Sequence, residues 1–197
     1  MADSPYMGIP EEKWTEITKK LIAEHPLKTD EIRDVVLQAW NDIFDSKLGP
    51  KGFKIGTHIF PKPQIMGFFL HELIPLEFAA RYPKLWRGEE SSSDKDMVYV
   101  PNDKFSIEIK TSSHQTSIFG NRSYAQETDS IGKKSKSGYY LTANFQKVTS
   151  AQIRPNIVRI RFGWLDHSDW IGQVAESGQQ AHLTPSADKY KLVTLLK

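Results

Sequence analysis

Asp96, Glu108 and Lys110 are the residues of this chain best suited to chemistry, because two carboxylates and an ammonium on neighbouring extended segments make an oxygen-rich site beside a proton carrier. In FSIEIK, residues 105–110, a period of two puts Phe105, Ile107 and Ile109 on one face of a strand and Ser106, Glu108 and Lys110 on the other. Asp96 opens a second apolar run, MVYV, and Pro101-Asn102-Asp103-Lys104 between the two runs carries turn residues. The pattern predicts a hairpin with an acid at its mouth. A two- or four-residue connection would pair Asp96 with Ile109 and turn it away from Glu108. A three-residue loop of Asn102, Asp103 and Lys104, or a bulge, pairs Asp96 with Lys110 and gathers the three charges on one face. We expect the odd-numbered loop. Such a site suits Mg²⁺, which takes one or two carboxylates and keeps waters that a phosphate displaces. Lys110 would then orient or help deprotonate an attacking water.

Asp96, eleven intervening residues and then Glu108-Ile109-Lys110 match the acid-spacer-(D/E)xK pattern of the PD-(D/E)xK nucleases. Thr111-Ser112-Ser113-His114 and Gly120-Asn121-Arg122-Ser123-Tyr124 behind it resemble the type II restriction endonucleases within that superfamily. Lys95 stands where a proline usually precedes the first acid, and Asp94 is a rival for the role of Asp96. The resemblance implies an α/β fold with a restriction-endonuclease-like core, a central mixed β-sheet flanked by helices. It also implies Mg²⁺-dependent, site-specific hydrolysis of double-stranded DNA, leaving 5′-phosphate and 3′-hydroxyl ends. Asp96, Glu108 and the backbone carbonyl of Ile109 would hold the metal. An acid from the preceding helix would approach it, Glu72 by our choice with Glu77 in reserve. A homodimer and a cognate DNA methyltransferase in the same prokaryotic cytoplasm are the implied partners. Two alternatives remain open at this point, a structure-specific repair or recombination nuclease and a non-catalytic DNA-binding module.

With 197 residues the length favours one domain, 1–197, with a helical part over 1–50 and a catalytic and DNA-binding core over 64–180. The absence of cysteine excludes disulfides and thiolate zinc sites. MADSPYMGIPEEKW has neither a basic start nor an apolar core, so no secretory signal is expected, and no apolar run is long enough to span a bilayer. The net charge of +2 is unevenly spread: ten Lys or Arg against three acids lie between Lys104 and Arg161, the half that carries the candidate site. A polyanion would be drawn to that half.

Elements that could position the site are legible on either side of it. Trp14, Ile17 and Leu21 predict an amphipathic helix after Pro10, and Ile32, Val35, Val36, Trp40, Ile43 and Phe44 a second from Thr29 to Gly49. Residues 51–63 read as an irregular crossing with a short strand at 53–60. Residues 64–83 are apolar nearly all round, predicting a buried helix that Pro75 kinks or splits, with Glu72 among apolar neighbours. Residues 137–146 and 157–165 read as strands, the second with Val158, Ile160, Phe162 and Trp164 towards the core and Arg159 and Arg161 opposite. Residues 191–196 read as a last strand. Between 111 and 136 hydroxyls, amides and basic groups dominate, as in loops that read DNA. Ser112, Ser113, His114, Gln115, Asn121, Arg122, Ser123 and Tyr124 are the candidate DNA contacts, with Lys133 and Lys134 in a basic turn gripping phosphates. Asp166 and His167 are not expected to form a second metal site.

Overall fold

Local chemistry accounts for the helices in the computed structural model, which describes residues 4–125, 134–175 and 178–197. A 3-10 turn, Glu11–Lys13, leads into α1 (Trp14–Glu24), and α2 (Thr29–Asp45) begins with Asp30 and Glu31, acids that favour the positive end of a helix dipole. α2 buries Ile32, Val35, Val36, Ala39, Trp40, Ile43 and Phe44, the stripe of a core-facing helix. Trp40 packs 5.0 Å from the Phe145 ring and donates its indole N–H to the Pro155 carbonyl at 2.7 Å, so these aromatics belong to the core.

α3 (Pro63–Arg81) differs from expectation in two ways. It runs unbroken through Pro75, whose cost is one missing backbone hydrogen bond and local crowding; burial of Met66, Leu70, Ile74 and Phe78 on both sides outweighs it. Nor is it buried all round. Ile65, Phe68, Glu72 and Leu76 are exposed, because α3 lies on the core by one face and borders an open cleft by the other. Glu72 is therefore not a buried acid. Gly67 lets α3 approach the site: a Cβ there would fall 2.6 Å from Thr111 Oγ1.

Six strands form the large sheet: β1 (Trp86–Gly88), β2 (Met97–Tyr99), β3 (Ile107–Ser112), β5 (Gly138–Phe145), β6 (Ile157–Leu165) and β9 (Leu192–Leu196), in the order β1-β2-β3-β5-β6-β9. β3 and β5 are parallel and the other pairs antiparallel, so the sheet is mixed, as expected. β4 (Phe119–Asn121), β8 (Gln180–Leu183) and β7 (Trp170–Gly172) make a smaller antiparallel sheet in that order. Residues 86–88 pair as β1, while 51–63, expected to hold a short strand at 53–60, form only isolated bridges such as Leu48↔Phe53 and Ile55↔Ile59.

β5 is buried along its whole length because both sheet faces are covered. Tyr139, Leu141, Ala143 and Phe145 join the helices in the main core, and Tyr140 joins Ile118, Trp170, Ala181 and Leu183 in a second. Arg161, expected on the open face of β6, is fully buried for the same reason. Its guanidinium reaches Asp188 Oδ1 at 2.6 Å in α4 (Pro185–Tyr190) and the Thr116 carbonyl at 3.3 Å, pinning the loop behind β3.

His25, after α1, is buried with its ring 4.6 Å from Tyr139 and 5.0 Å from Phe162. Nδ1 accepts from Leu27 N at 3.2 Å, so the neutral ring donates from Nε2 to the Phe105 carbonyl at 3.1 Å. Burial pushes its pKa from 6.5 down to about 4. The neutral ring's contribution is complete above pH 6.5 and is lost as pH falls from there through about 4, a change on the order of 3 kcal/mol. Denaturant midpoints measured from pH 7 to 5 should fall for the native chain and less steeply for His25→Gln.

Candidate active site

β2 and β3 meet through one antiparallel pair, Met97↔Ile107, which sets Asp96 opposite Glu108 rather than Lys110. The parity is the expected one, so the three charges share a face, but the three-residue loop does not form. Residues 100–106 connect the strands: Asn102 Oδ1 accepts from Lys104 N at 3.1 Å over the 3-10 turn Asp103–Phe105, and the Ser106 hydroxyl accepts from Tyr99 N at 3.0 Å. Phe105 and Ser106 thus belong to the connection and not to the strand, and the partner of Asp96 moves by two residues, from Lys110 to Glu108.

Asp96 continues the ladder with its side chain, Oδ2 accepting from Ile109 N at 2.7 Å. Glu108, 2% exposed, takes the Lys110 ammonium on Oε1 at 2.5 Å and a hydrogen bond from the Tyr124 hydroxyl on the same oxygen. Its other oxygen is buried and accepts no well-directed hydrogen bond; the Lys134 ammonium faces it at 2.7 Å. Lys134 also lies 2.8 Å from Asp96 Oδ1, so one cation bridges the two acids. Burial opposes ionisation of Glu108, but Lys110 and Lys134 prevail and hold its carboxyl below the usual range. Desolvation likewise opposes the charge of Lys134, and Glu108 and Asp96 raise its proton affinity in return.

These positions fit a hard divalent cation. Two carboxylate oxygens already converge on a single positive charge, and the Ile109 carbonyl beside them is 3.1 Å from Lys110 Nζ. Among the described residues no three His, Cys, Asp or Glu side chains form a metal-holding group. Two acids and a carbonyl would leave places on such an ion for water and phosphate. Glu72 is exposed and lines a cavity of about 320 Å³ together with His71, Glu89 and Asp96. Glu77 pairs with Arg81 at 3.9 Å, and Asp94, the rival for Asp96, is held by Arg87 at 2.8 Å and by the backbone of Glu90 and Ser91.

The residue of α3 that does approach is His71, whose Nδ1 is 3.6 Å from Asp96 Oδ2 and whose pKa is lowered by burial. Sequence reading passed over it in favour of its neighbour, because helical periodicity could not say which of the two faced the sheet. Lys95, in place of the usual proline, is buried and donates to the Ser135 carbonyl at 3.0 Å. Burial lowers its pKa to about 8.

A cleft of about 760 Å³ lies between α3 and the segment after β3, bordered by His71, Ser112, Ser113, His114, Lys147 and Gln180. Gln115 is exposed on the same loop. The loop is built rather than slack: His114 Nδ1 accepts from Ser117 N at 3.0 Å, and Asn144 donates to the carbonyls of His114 and Ser117 at 2.8 and 2.9 Å. Asn121 is exposed on β4 beside a smaller hollow shared with Lys110 and Tyr124. Arg122 reaches the carbonyls of Ala175 and Gly178 at 3.4 Å, tying the small sheet, and the Ser123 carbonyl accepts from Lys136. Tyr124 points inward to Glu108, its ring 4.6 Å from Lys110 Nζ. Lys134 likewise belongs to the acid cluster, whereas Lys133 lies outside the described residues.

Residues 4–196 match the family described as ScaI restriction endonuclease. The chain is 50% identical over 195 residues to the type II restriction enzyme ScaI of Streptomyces caespitosus, a similarity covering 98% of this chain and 85% of that one.

Proposed function

This chain belongs to the ScaI restriction endonuclease family and is a type II restriction endonuclease, and from that premise we propose that it cuts double-stranded DNA with Mg²⁺ at the Asp96–Glu108–Lys110 cluster of a PD-(D/E)xK fold. The observation that carries the reading is the convergence of Asp96 Oδ1 and Glu108 Oε2 on one cationic position with the Lys110 ammonium alongside. Asp96, Glu108 and the Ile109 carbonyl would hold the ion. When bound, it supplies Lewis-acid polarisation of the scissile phosphate and lowers the proton affinity of water. Lys110, anchored on Glu108 and the Ile109 carbonyl, presents a donor that orients the attacking water. Tyr124 donates to Glu108 and keeps its carboxylate turned towards the site.

Duplex DNA lies along the cleft lined by Ser112, Ser113, His114 and Lys147, within reach of the exposed Gln115 on the same loop and of Asn121 at the smaller hollow beside Lys110. Hydrolysis leaves 5′-phosphate and 3′-hydroxyl ends, and two copies of the chain cut the two strands of a symmetric site. A methyltransferase of the same specificity protects the host DNA. Among the described residues no helix is long and apolar enough to cross a membrane.

Plasmid incubated with the protein and Mg²⁺ should resolve into discrete bands, and sequencing should return one recurrent end that a ligase rejoins. A smear of random ends would overturn site specificity, and cutting undiminished by chelator would overturn the metal assignment.

A further inference from the structure

The cation that bridges Asp96 and Glu108 is a side chain of this protein, and it comes from 38 residues beyond Asp96. We propose that Lys134 is a built-in occupant of the divalent-cation position, displaced when the metal and a DNA phosphate enter together. The inference rests on the metal site proposed above and adds a function for a residue outside the acid-spacer-ExK pattern.

Its aim is built into the fold. Lys95, itself 5% exposed, donates to the Ser135 carbonyl at 3.0 Å, and Tyr140, fully buried in β5, donates to the Lys136 carbonyl at 2.6 Å. These two anchors hold the backbone of Ser135 and Lys136, directly after Lys134, against the sheet. From there the Lys134 side chain reaches 2.8 Å from Asp96 and 2.7 Å from Glu108, and a third acid, Glu89, stands at 3.9 Å.

Formal charge gives the arrangement a consequence. Apart from the exposed Glu89, Asp96 and Glu108 carry two negative charges and Lys110 and Lys134 two positive ones, so this inner group of four is neutral without metal. A divalent ion added beside Lys134 would meet an ammonium at contact distance inside a partly desolvated site, a strongly repulsive placement. With Lys134 withdrawn, the two acids, Lys110 and the ion sum to one positive charge, which a single phosphodiester balances. Metal and DNA therefore bind cooperatively, each favouring the state in which the lysine has left the acids. In the free protein the acids stay paired, and the displaced ammonium becomes available to the DNA backbone.

The test is Mn²⁺ binding to the full-length chain without DNA, read from the free-ion paramagnetic resonance signal. Lys134→Gln should bind Mn²⁺ about tenfold or more tightly than the native protein. Glu108→Gln on the Lys134→Gln background should remove that binding. Lys104→Gln, which deletes an exposed charge on the β2–β3 connection, should bind like the native chain. A lysine that merely held the fold together would weaken metal binding when removed, so the sign of the change distinguishes the two roles. Unchanged or weaker Mn²⁺ binding by Lys134→Gln, with Glu108-dependent binding in the native chain, overturns the displacement while leaving the metal site standing. If no variant shows Glu108-dependent binding, the metal assignment fails and the displacement with it.

Discussion

Glu108→Gln should cut DNA about a thousandfold more slowly than the native enzyme while folding normally and binding its site. Glutamine keeps the shape of the side chain and an acceptor for Tyr124, whose hydroxyl bonds Glu108 Oε1. What it removes is the charge that faces Lys110 at 2.5 Å and Lys134 at 2.7 Å and that would face the metal. Alanine is a poorer probe, because it removes the same charge and also leaves a void between two ammoniums where a side chain 2% exposed stood. Asp96→Asn should produce a comparable loss of cutting, since its Oδ1 meets the same cation and its Oδ2 holds Ile109 N at 2.7 Å. Glu77→Gln, on the far turn of α3 beside Arg81, should leave the rate within a few-fold. Single-turnover cleavage of a labelled duplex, with binding measured separately in Ca²⁺, checks all three. A Glu108→Gln enzyme that cuts at near-native rate would remove the chemistry from this site.

Gly163→Ala should cost on the order of 3 kcal/mol or more and leave little folded protein at physiological temperature. A Cβ at Gly163 would sit 2.0 Å from the Lys191 backbone oxygen and 3.1 Å from Thr18 Cγ2. Neither neighbour can retreat cheaply. Gly163 pairs with Leu192 in the β6–β9 ladder, so moving that carbonyl breaks strand pairing, and the Thr18 hydroxyl is tied to Trp14 O and Tyr190 O at 2.9 and 3.1 Å. The effect would reach the site, because β6 supports β5 and β5 supports β3, which carries Glu108 and Lys110. Gly49→Ala serves as the comparison: its φ is +68° but nothing stands within 4 Å, so it should cost only about 1–2 kcal/mol. Denaturant unfolding followed by circular dichroism measures both. A Gly163→Ala midpoint equal to the native one would show that β9 does not close on β6 as described.

The family was legible from a short stretch, because Asp96, Glu108 and Lys110 are close in the chain and strand alternation places alternate side chains on one face. The buried stripe of α2 and the bounds of β6 were legible for the same reason, since helical and strand periodicity are local. Local pattern was not enough for α3, where an apolar sequence could not say that one face would border a cleft and that His71, not Glu72, would turn towards Asp96. It could not say that Arg161 would be covered by α4 and the loop at Thr116. The composition of residues 111–136 marked a polar region, but Tyr124 and Lys134 were assigned to DNA by residue type alone, and packing turns both onto Glu108.

What the sequence determined by itself was the candidate set of two acids and a lysine and the parity that puts them on one face, since both follow from neighbours along the chain. What the tertiary structure alone decided was which distant charges complete that face. Burial of two acids demands compensating cations, and the fold can recruit them from any segment it brings within reach, here from Lys134.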